Sequence, residues 1–572
     1  MSNMHSKRRH PAGLHLTLAG YGNRVPPKIK ELFQGLLKHG HPIPSLVHYL
    51  KCVFLPDFQA NSGYPADMCS YSDSWRAGDF PTSFDHLHRY FDYTMQNRNR
   101  LFYQYALMNL GILQADFGCY KEALTTMLES VTTARENRDT SCLNFALNWL
   151  FHFGRNHPKL VRELKDNNML GGGKEPLSYL RIKAKEAGMW VLWSSALLAE
   201  VKVELASGQS ISTAMENMVR SSRVMLRWNL SAMAGAQLSV ATSLWDRLGL
   251  ANMSTMTCEV FLRCHTNEAV FEDILKATCR HAGLLAGRGK YDEAFAKLEA
   301  LGGNPLRSAK PHQYWHLYRG ILKLRRDLHR NNIEAADHLL SQLLQAGTGC
   351  LEPDMVFVID SLHVETLTRR GEFEAAFNKI DRLAADLRDD DRDISLRIRL
   401  LLSKAHLYDQ MGRPEKGFTV SMRAASMAWR VRLVSLLWQA TGAMSNILNA
   451  LGEFSAASDL LVAALPRCLE TDNVYVAGTL YSILADAWAG QAGHADAKGP
   501  SQALKRTEFL TKANEALEFA FRNFSLVEDV EKQCEVLAKQ ATIMRTMGDI
   551  VRSEDYATRY LALRKDAIMR NE

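Results

Sequence analysis

The chain has 572 residues, of which 47% are hydrophobic and 23% charged, the balance of an ordinary folded protein with a large core. Lysine and arginine exceed aspartate and glutamate by only 69 to 62, too small an excess to predict nucleic-acid binding. No run of 18 apolar residues occurs, which argues against a membrane-spanning helix. Ten cysteines are scattered without a C-x-x-C pair, which indicates buried thiols in a reducing compartment.

Residues 1–80 contain many glycines and prolines and differ in this respect from the rest of the chain. We predict a partly ordered N-terminal segment here, with short helices near Ile29–Lys38 and Ser45–Leu55 and a polar linker through Asp79.

A helix–turn–helix pattern follows at about residues 102–135, where Gly118 separates two apolar helical stretches and Ala123 comes shortly after it. The same order of Gly or Asn, an apolar residue and a small residue returns along the chain. Its later copies are Gly289 with Ala294, Asn331 with Ala336, Gly371 with Ala376, Gly412 with Gly417, Gly452 with Ala457, and Gly548 with Ser553. The small residues at 294, 336, 376, 417 and 457 are spaced by 42, 40, 41 and 40 residues, which predicts a repeat array.

Each feature of the repeat has a physical reason. Gly or Asn can adopt the left-handed conformation that ends a first helix, and small residues allow two helices to cross closely. Four residues after the small position, an apolar residue recurs to fill the core between repeats: Leu298, Leu340, Ile380 and Leu461. One repeat between 457 and 553 is interrupted by the Gly- and Ala-rich stretch 490–500, which predicts a loop insertion before a second helix resumes near Ser501.

The predicted fold class is therefore all-α, an α-solenoid of helical hairpins like those of tetratricopeptide repeats (TPRs), but with a period of about 40 residues. We predict N-terminal helical repeats over residues 81–280, where irregular helical pairs follow the first repeat and Gly171–Gly173 marks a break. A C-terminal TPR-like superhelix is predicted over residues 281–572.

The sequence predicts no catalytic, cofactor-binding or metal-binding residues. Gly287–Lys290 resembles the end of a phosphate-binding loop, but Leu284 and Tyr291 replace the glycine and hydroxyl residue that the loop requires. His312 and His316 share a helix face, as metal ligands can, but lack an HExxH pattern. A second group lacks zinc-finger spacing and consists of Cys258, Cys264, His265, Cys279 and His281.

Two other features have both a structural and a functional interpretation. The acidic run Asp389–Asp393 fits a solvated loop between repeats, or a contact for a basic partner surface. The tryptophan pairs fit packing between helices, or anchors for a partner; they are Trp190 with Trp193 and Trp429 with Trp438.

Three stretches near the first repeat carry a family resemblance. They run from Phe84 to Asp92, from Tyr105 to Leu113 and from Phe117 to Leu124, and are followed by Ala134-Arg-Glu-Asn-Arg-Asp139, Cys142-Leu143 and Trp149-Leu150. Together with the later repeats, to about residue 565, this order resembles the anaphase-promoting complex subunit 5 family. The family has a longer helical N-terminal domain before its repeats, so the resemblance implies an N-terminally shortened relative.

The resemblance implies a non-catalytic scaffold subunit of a multisubunit E3 ubiquitin ligase that controls mitotic progression. The implied partners are platform subunits 1 and 4, neighbouring TPR subunits and the catalytic cullin and RING module, in nucleus and cytoplasm. It implies no cofactor, nucleic acid, membrane or small-molecule substrate.

Two alternatives remain. A peptide-binding TPR adaptor of the cochaperone type would hold a carboxylate with cations on successive first helices. Lys276 and Arg280 suit that role, but the positions equivalent to Arg280 in the next four copies are Leu322, Leu362, Ser403 and Ala443. The other alternative is a regulatory helical-repeat protein, although no helix-turn-helix or phosphate loop precedes the repeats.

Overall fold

The computed structural model describes residues 71, 74–75, 79–96, 100–157, 160, 174–266, 269, 271–301, 309–346, 353–388, 393–495 and 500–571. Across these ranges the chain forms 23 α-helices and no β-strand, which confirms the all-α prediction. None of the helices in the same ranges has both the length and the hydropathy needed to cross a membrane. The short helices predicted near 29–38 and 45–55, and the break at 171–173, lie outside the described residues.

The chain divides into two compact units, Met1–Asp139 and Thr140–Glu572. In the first unit, α1 (Phe80–Gln96) packs on α2 (Arg100–Asp116), and α2 pairs with α3 (Tyr120–Glu136) in a hairpin over the residues where the first repeat was predicted. The turn between α2 and α3 is made by Gly118, whose φ of 88° is left-handed. Leu87 and Leu113 are buried in the core of this unit.

Gln104 on α2 ties together the motif residues at the end of α3. Its side-chain amide donates to the Asp139 carboxylate at 2.7 Å and its amide oxygen accepts from Asn137 at 2.6 Å. Ser130 on α3 donates to the Gln104 carbonyl at 2.9 Å. Because Gln104 is fully buried, these bonds satisfy polar groups that would otherwise destabilise the hairpin. The Asn137 and Asp139 positions of the family motif therefore have a structural role in this chain.

The second unit contains the remaining helices. They are α4 (Thr140–Asn156), α5 (Lys174–Glu186), α6 (Trp190–Ser207), α7 (Ile211–Arg227), α8 (Ala234–Arg247), α9 (Ala251–Cys264), α10 (Phe271–Gly287), α11 (Tyr291–Glu299), α12 (Ala309–His329), α13 (Ile333–Ala346), α14 (Pro353–Arg369), α15 (Phe373–Arg388), α16 (Ile394–Gln410), α17 (Phe418–Val431), α18 (Val434–Ala450), α19 (Phe454–Leu469), α20 (Val474–His494), α21 (Pro500–Val527), α22 (Val530–Met547) and α23 (Ile550–Asn571). Short 3₁₀ turns lie at Ser231–Met233 and Pro414–Gly417.

From α6 onward the helices pair in order as antiparallel hairpins, α6 with α7 through α22 with α23. The first helices, α6, α8, α10 and so on, also pack beside one another, so they form one continuous face of the array. The fold is therefore a stack of TPR-like hairpins, as the sequence predicted.

Left-handed residues end the first helices at regular intervals. Positive φ values occur at the predicted positions Gly289, Asn331, Gly371, Gly412 and Gly452, and at Gly548. Gly208 and Gly249 precede the series at the same spacing, so successive turns from 208 to 452 are separated by 41, 40, 42, 40, 41 and 40 residues. The regular spacing begins further toward the N-terminus than the predicted series. Ser254 is the buried small residue five positions after Gly249, whereas Thr213 takes that position after Gly208 and the buried Ala214 follows it.

The small residues lie where the helices cross. Ala294, Ala336, Ala376 and Ala457 have no exposed surface, and Ser553 donates to the Ala541 carbonyl of the facing helix at 2.9 Å. The four apolar residues predicted to fill the inter-repeat core are also buried: Leu298, Leu340, Ile380 and Leu461.

The predicted loop at 490–500 is wrong over its first half. Helix α20 continues through His494 and α21 begins at Pro500, while residues 496–499 lie outside the described residues. The insertion therefore lengthens both helices, to 21 and 28 residues. Gly490 indicates a loop in the sequence, but here it lies within α20 with the ring of Phe454 against its backbone. A Cβ atom would come within 2.3 Å of that ring, which accounts for a glycine at this helical position.

This contact predicts opposite effects for two glycines of α20. Gly490→Ala is expected to lower the free energy of unfolding by about 1–3 kcal/mol through overpacking against Phe454, partly offset by the better helix propensity of alanine. Gly493→Ala, where a Cβ atom meets nothing within 4 Å, is expected to raise it by about 0.5–1 kcal/mol. Urea unfolding of both variants measures the difference, and equal effects would contradict the packing of Phe454 on α20.

Candidate functional site: contacts between distant repeats

In the second unit the array curls back, so that turns of early hairpins pack on hairpins about 200 residues later. The Gly208 turn lies against Ile394 and Val431, and the Gly289 turn lies against the backbone of Leu526. The Gly249 turn meets Val434 and Thr471 in the same way. These contacts fix the curvature of the array, because each joins elements that are not neighbours in the stack.

Glu528, directly after α21, binds Arg326 of α12 and Arg330 directly after that helix. Nε and Nη2 of Arg326 each donate to the Glu528 carboxylate at 2.9 Å, a bidentate arrangement, and Nε of Arg330 donates at 2.6 Å. A third nitrogen of Arg326 donates to Asp292 at 2.9 Å. Burial alone would raise the pKa of Glu528, but the hydrogen bonds from Arg326 and Arg330 outweigh it and lower this pKa to about 2.

Asp529, the next residue, is fully buried and has two roles. One carboxylate oxygen accepts from the backbone N–H of Lys532 at 2.9 Å and so caps α22. The other lies 2.8 Å from Nδ1 of His329 on α12 and 3.5 Å from Nη2 of Arg369 on α14. Burial favours the neutral acid, but the hydrogen bond to His329 and the charge of Arg369 prevail and lower the pKa of Asp529.

These side chains join α12 and α14 to the α21–α22 turn and are called the inter-repeat ion cluster. Its members are Arg326, His329, Arg330, Arg369, Glu528 and Asp529.

The cluster predicts loss of stability in acid. The carboxyl pKa values of Glu528 and Asp529 are lower in the folded chain than in the unfolded chain, so the unfolded chain binds more protons as the pH falls. The stabilisation is complete above the unfolded-state pKa, about 4, and is lost as the pH falls toward 2. We expect the urea midpoint to fall more between pH 6 and pH 3 in the native chain than in Glu528→Gln, where one of these carboxylates cannot titrate. An equal fall in both would contradict the role of Glu528.

A second ion pair joins α8 to the start of α16. Arg247 pairs with Asp393 and also donates to the Leu205 carbonyl at 2.8 Å. Asp393 in turn caps α16 by accepting from the Ser395 N–H at 2.9 Å. The last residue of the predicted acidic run is thus structural, while Asp389–Arg392 lie outside the described residues.

The face formed by the first helices carries further charged groups in pairs. Arg280 donates to Asp246 at 2.6 Å, and Lys539 donates to Asp486 at 2.7 Å. The face is therefore charged and mixed in sign.

The carboxylate clamp of a peptide adaptor is not assembled on this face. Arg280, the candidate clamp residue, is bonded to Asp246. Two of its equivalents, Leu322 and Leu362, are buried in the hydrophobic core. Leu322 and Leu362 therefore supply no cation at these two positions.

The remaining sequence candidates fall in ordinary structural positions. Gly287–Lys290 forms the turn between α10 and α11. The rings of His312 and His316 lie 6.3 Å apart on α12. Of the cysteines singled out, Cys258 and Cys279 are buried and Cys264 is exposed. The described part of the chain contains no group of three His, Cys, Asp or Glu residues arranged to hold a metal ion.

The tryptophans differ in their surroundings. Trp438 is buried in the core between α18 and α20. Trp190 stacks on Trp228 with ring centroids 4.4 Å apart and meets Trp193 edge-on at 5.8 Å. Trp429 is 55% exposed beside Arg432, so the alternative of a partner anchor stays open for this residue.

The fold and its contacts define a class, a TPR-like helical-repeat protein whose array is held by contacts between distant repeats. Residues 67–157 match the family model of anaphase-promoting complex subunit 5. The chain is 23% identical to human anaphase-promoting complex subunit 5 over 515 residues. This alignment covers 86% of this chain and 64% of the human protein. The Schizosaccharomyces pombe subunit is 29% identical over 264 residues, 46% of this chain and 34% of that protein. Over most of its length the chain is therefore similar to proteins named anaphase-promoting complex subunit 5, the family that its motifs resemble.

The chain spans less than two thirds of the length of these relatives. Among solved structures, a Rap protein complexed with competence and sporulation factor aligns with 59% of this chain and 99% of its own, at 12% identity and a TM-score of 0.38. The maize pentatricopeptide repeat protein PPR10 aligns with 93% of this chain and 77% of its own, at 13% identity and a TM-score of 0.22.

Proposed function

We propose that this chain is a non-catalytic scaffold subunit of the anaphase-promoting complex, the multisubunit ubiquitin ligase that controls mitotic progression. The similarity to relatives named as subunit 5 of that complex, across 86% of the chain, supports the proposal. Its proposed partners are platform subunits 1 and 4, the neighbouring TPR subunits and the cullin and RING module. Its proposed location is the nucleus and cytoplasm of dividing cells.

The inter-repeat ion cluster is the structural observation that supports a scaffold best. A scaffold must hold its binding surfaces at fixed separations, whereas a simple stack of hairpins contacts only its neighbours and bends easily. Glu528 and Asp529 bond the α21–α22 turn to α12, about 200 residues earlier, and Asp529 also contacts Arg369 of α14; these contacts stiffen the array. An extended stiff surface suits several large protein contacts, each burying on the order of 1,600 Å².

The perturbed carboxylates of the cluster have a structural use. Glu528 and Asp529 have lowered pKa values, and such values often accompany catalysis. Here each lies against cationic or ring-nitrogen partners of another helix, within a packed contact. The ion pairs of Glu528 and Asp529 therefore support a structural role, in which they hold distant repeats of the array together.

Affinity purification of the tagged chain from dividing cells, read by mass spectrometry, tests the proposal. We expect recovery of a cullin-like and a RING subunit in amounts comparable to the chain itself. The purified chain alone is expected to show no ubiquitin transfer above a heat-treated control. Recovery of chaperones without those subunits would support the adaptor alternative instead, and turnover by the isolated chain would overturn the non-catalytic role.

A further inference from the structure

Helix α17 and the start of α16 border an open groove of about 640 Å³. Its apolar lining comes from Ile394, Phe418, Met422, Met427 and Val431. Met422 is 44% exposed, so the lining is accessible from solvent. Methionine-lined surfaces adapt readily to apolar side chains of a partner.

The groove is held in shape by contacts between distant repeats. Ile394 begins α16 directly after Asp393, which caps that helix and pairs with Arg247 of α8. The Gly208 turn packs against both Ile394 and Val431. Because these contacts already hold Ile394 and Val431 in place, a ligand that binds in the groove does not have to order them.

The charge around the groove is mainly positive. Residues 411–432 contain five cations, at 413, 416, 423, 430 and 432, and one acid, Glu415. Arg423 and Arg430 line the groove, together with Thr419 and Ser426 and without a carboxylate. Among the described residues neither arginine has an ion-pair partner. Both side chains are exposed, and their charges are available to an incoming group.

We propose that this groove docks an acidic amphipathic helix of a partner protein. The apolar stripe of the partner helix would lie on Phe418, Met422 and Met427. The carboxylates of that helix would bind Arg423 and Arg430. The lining residues at 419, 422, 423, 426 and 430 follow one stripe of α17, which suits a helix laid along it. The apolar floor favours a protein partner over a nucleic acid, which an all-cationic groove with stacking platforms would suit. That the partner is another subunit of the same complex rests on the proposed function.

The test uses the purified full chain and a fluorescent synthetic peptide, an amphipathic helix with leucines on one face and glutamates elsewhere. We expect the peptide to bind, with weaker affinity at higher salt. Arg423→Glu combined with Arg430→Glu is expected to weaken binding about tenfold or more, because like charges then face the peptide. Met422→Asp is expected to weaken it as well, since the leucine stripe loses its apolar contact.

Matched controls separate docking from general charge attraction. Arg382→Glu combined with Arg467→Glu reverses two exposed arginines on α15 and α19, the second helices of the adjacent hairpins, and is expected to leave binding unchanged. A peptide with lysines in place of glutamates is expected not to bind. Equal weakening by the control pair, equal binding of the lysine peptide, or no binding of the glutamate peptide would overturn the inference.

The result is independent of the purification from dividing cells. If the complex is recovered but the glutamate peptide does not bind, the docking inference fails and the scaffold proposal stands. If the peptide binds as described but no subunit is recovered, the scaffold proposal fails and the groove remains a docking site for another partner.

Discussion

Replacement of Asp529 by alanine is expected to lower the free energy of unfolding by about 3–5 kcal/mol, the typical cost of removing one partner of a buried ion pair. The carboxylate is fully buried, caps α22 and lies against His329 and Arg369. Its loss leaves the Arg369 charge, itself only 11% exposed, without this counter-ion in the contact between α14 and α22.

Two variants separate the contribution of the helix cap from that of the buried charge. Asp529→Asn keeps an oxygen to cap α22 but loses the charge, so it is expected to retain only part of the stability. Asp549→Ala removes the cap of α23, where Asp549 accepts from the Arg552 N–H at 3.1 Å, and is expected to cost only about 0.5–2 kcal/mol. Urea unfolding with hydrogen exchange in α12, α14 and α22 is the measurement, since repeat arrays do not always unfold in two states. Similar losses for Asp529→Ala and Asp549→Ala would show that the contacts with α12 and α14 contribute little.

Gly289→Ala is expected to lower the free energy of unfolding by about 2–5 kcal/mol. Its φ of 81° strains any residue with a Cβ atom, at about 1–2 kcal/mol. The added Cβ would also lie 2.3 Å from the Leu526 carbonyl oxygen, a clash that the backbone must relieve by moving, at about 1–3 kcal/mol.

Gly371→Ala is the matched control for this substitution. Gly371 has nearly the same φ, 80°, and ends α14 in the equivalent turn, but its Cβ would meet nothing within 4 Å. Only the backbone strain is expected there. Thermal and urea unfolding of both variants should therefore differ by the cost of the contact with Leu526, and indistinguishable stabilities would argue against the packing of the α10–α11 turn on α21.

The regular parts of this fold follow from local sequence. Gly289, Asn331 and Gly371 end helices because few residues tolerate the left-handed conformation, and this requirement recurs at each turn. Ala376 and Ala457 are small because two helices cross there. Such constraints repeat every 40 residues or so and can therefore be predicted from one sequence.

The contacts that shape the array could not be predicted in this way. Glu528 and Asp529 bind residues about 200 positions earlier, and a single sequence contains no periodic sign of that pairing. Asp529 could have been recognised only as a helix cap before Val530. Around Gly490 the sequence is misleading in another way. The Gly- and Ala-rich composition of residues 490–500 indicates a loop, and only the position of Phe454 explains why a glycine lies within a helix.

The groove on α17 depends both on local sequence and on contacts between distant repeats. Its cations and methionines can be read along residues 411–432, but the sequence does not show that Ile394 forms the opposite wall. The ion pair between Arg247 and Asp393, which supports that wall, joins residues 146 positions apart. A functional surface on a repeat array is thus defined by how the array curls as well as by its repeats.

Zero-length carbodiimide crosslinking of the Arg330→Lys variant tests the curled array most directly. In the native chain Arg330 lies 2.6 Å from the Glu528 carboxylate, so a lysine there is expected to form an amide with Glu528, read as one crosslinked peptide pair by mass spectrometry. Arg467→Lys, on α19, is the control and is expected to give no crosslink to Glu528. A dilute mixture of isotope-labelled and unlabelled chains distinguishes crosslinks within one molecule from those between two. Crosslinks from the introduced lysine only to neighbouring carboxylates on its own hairpin, with none to Glu528, would contradict the account.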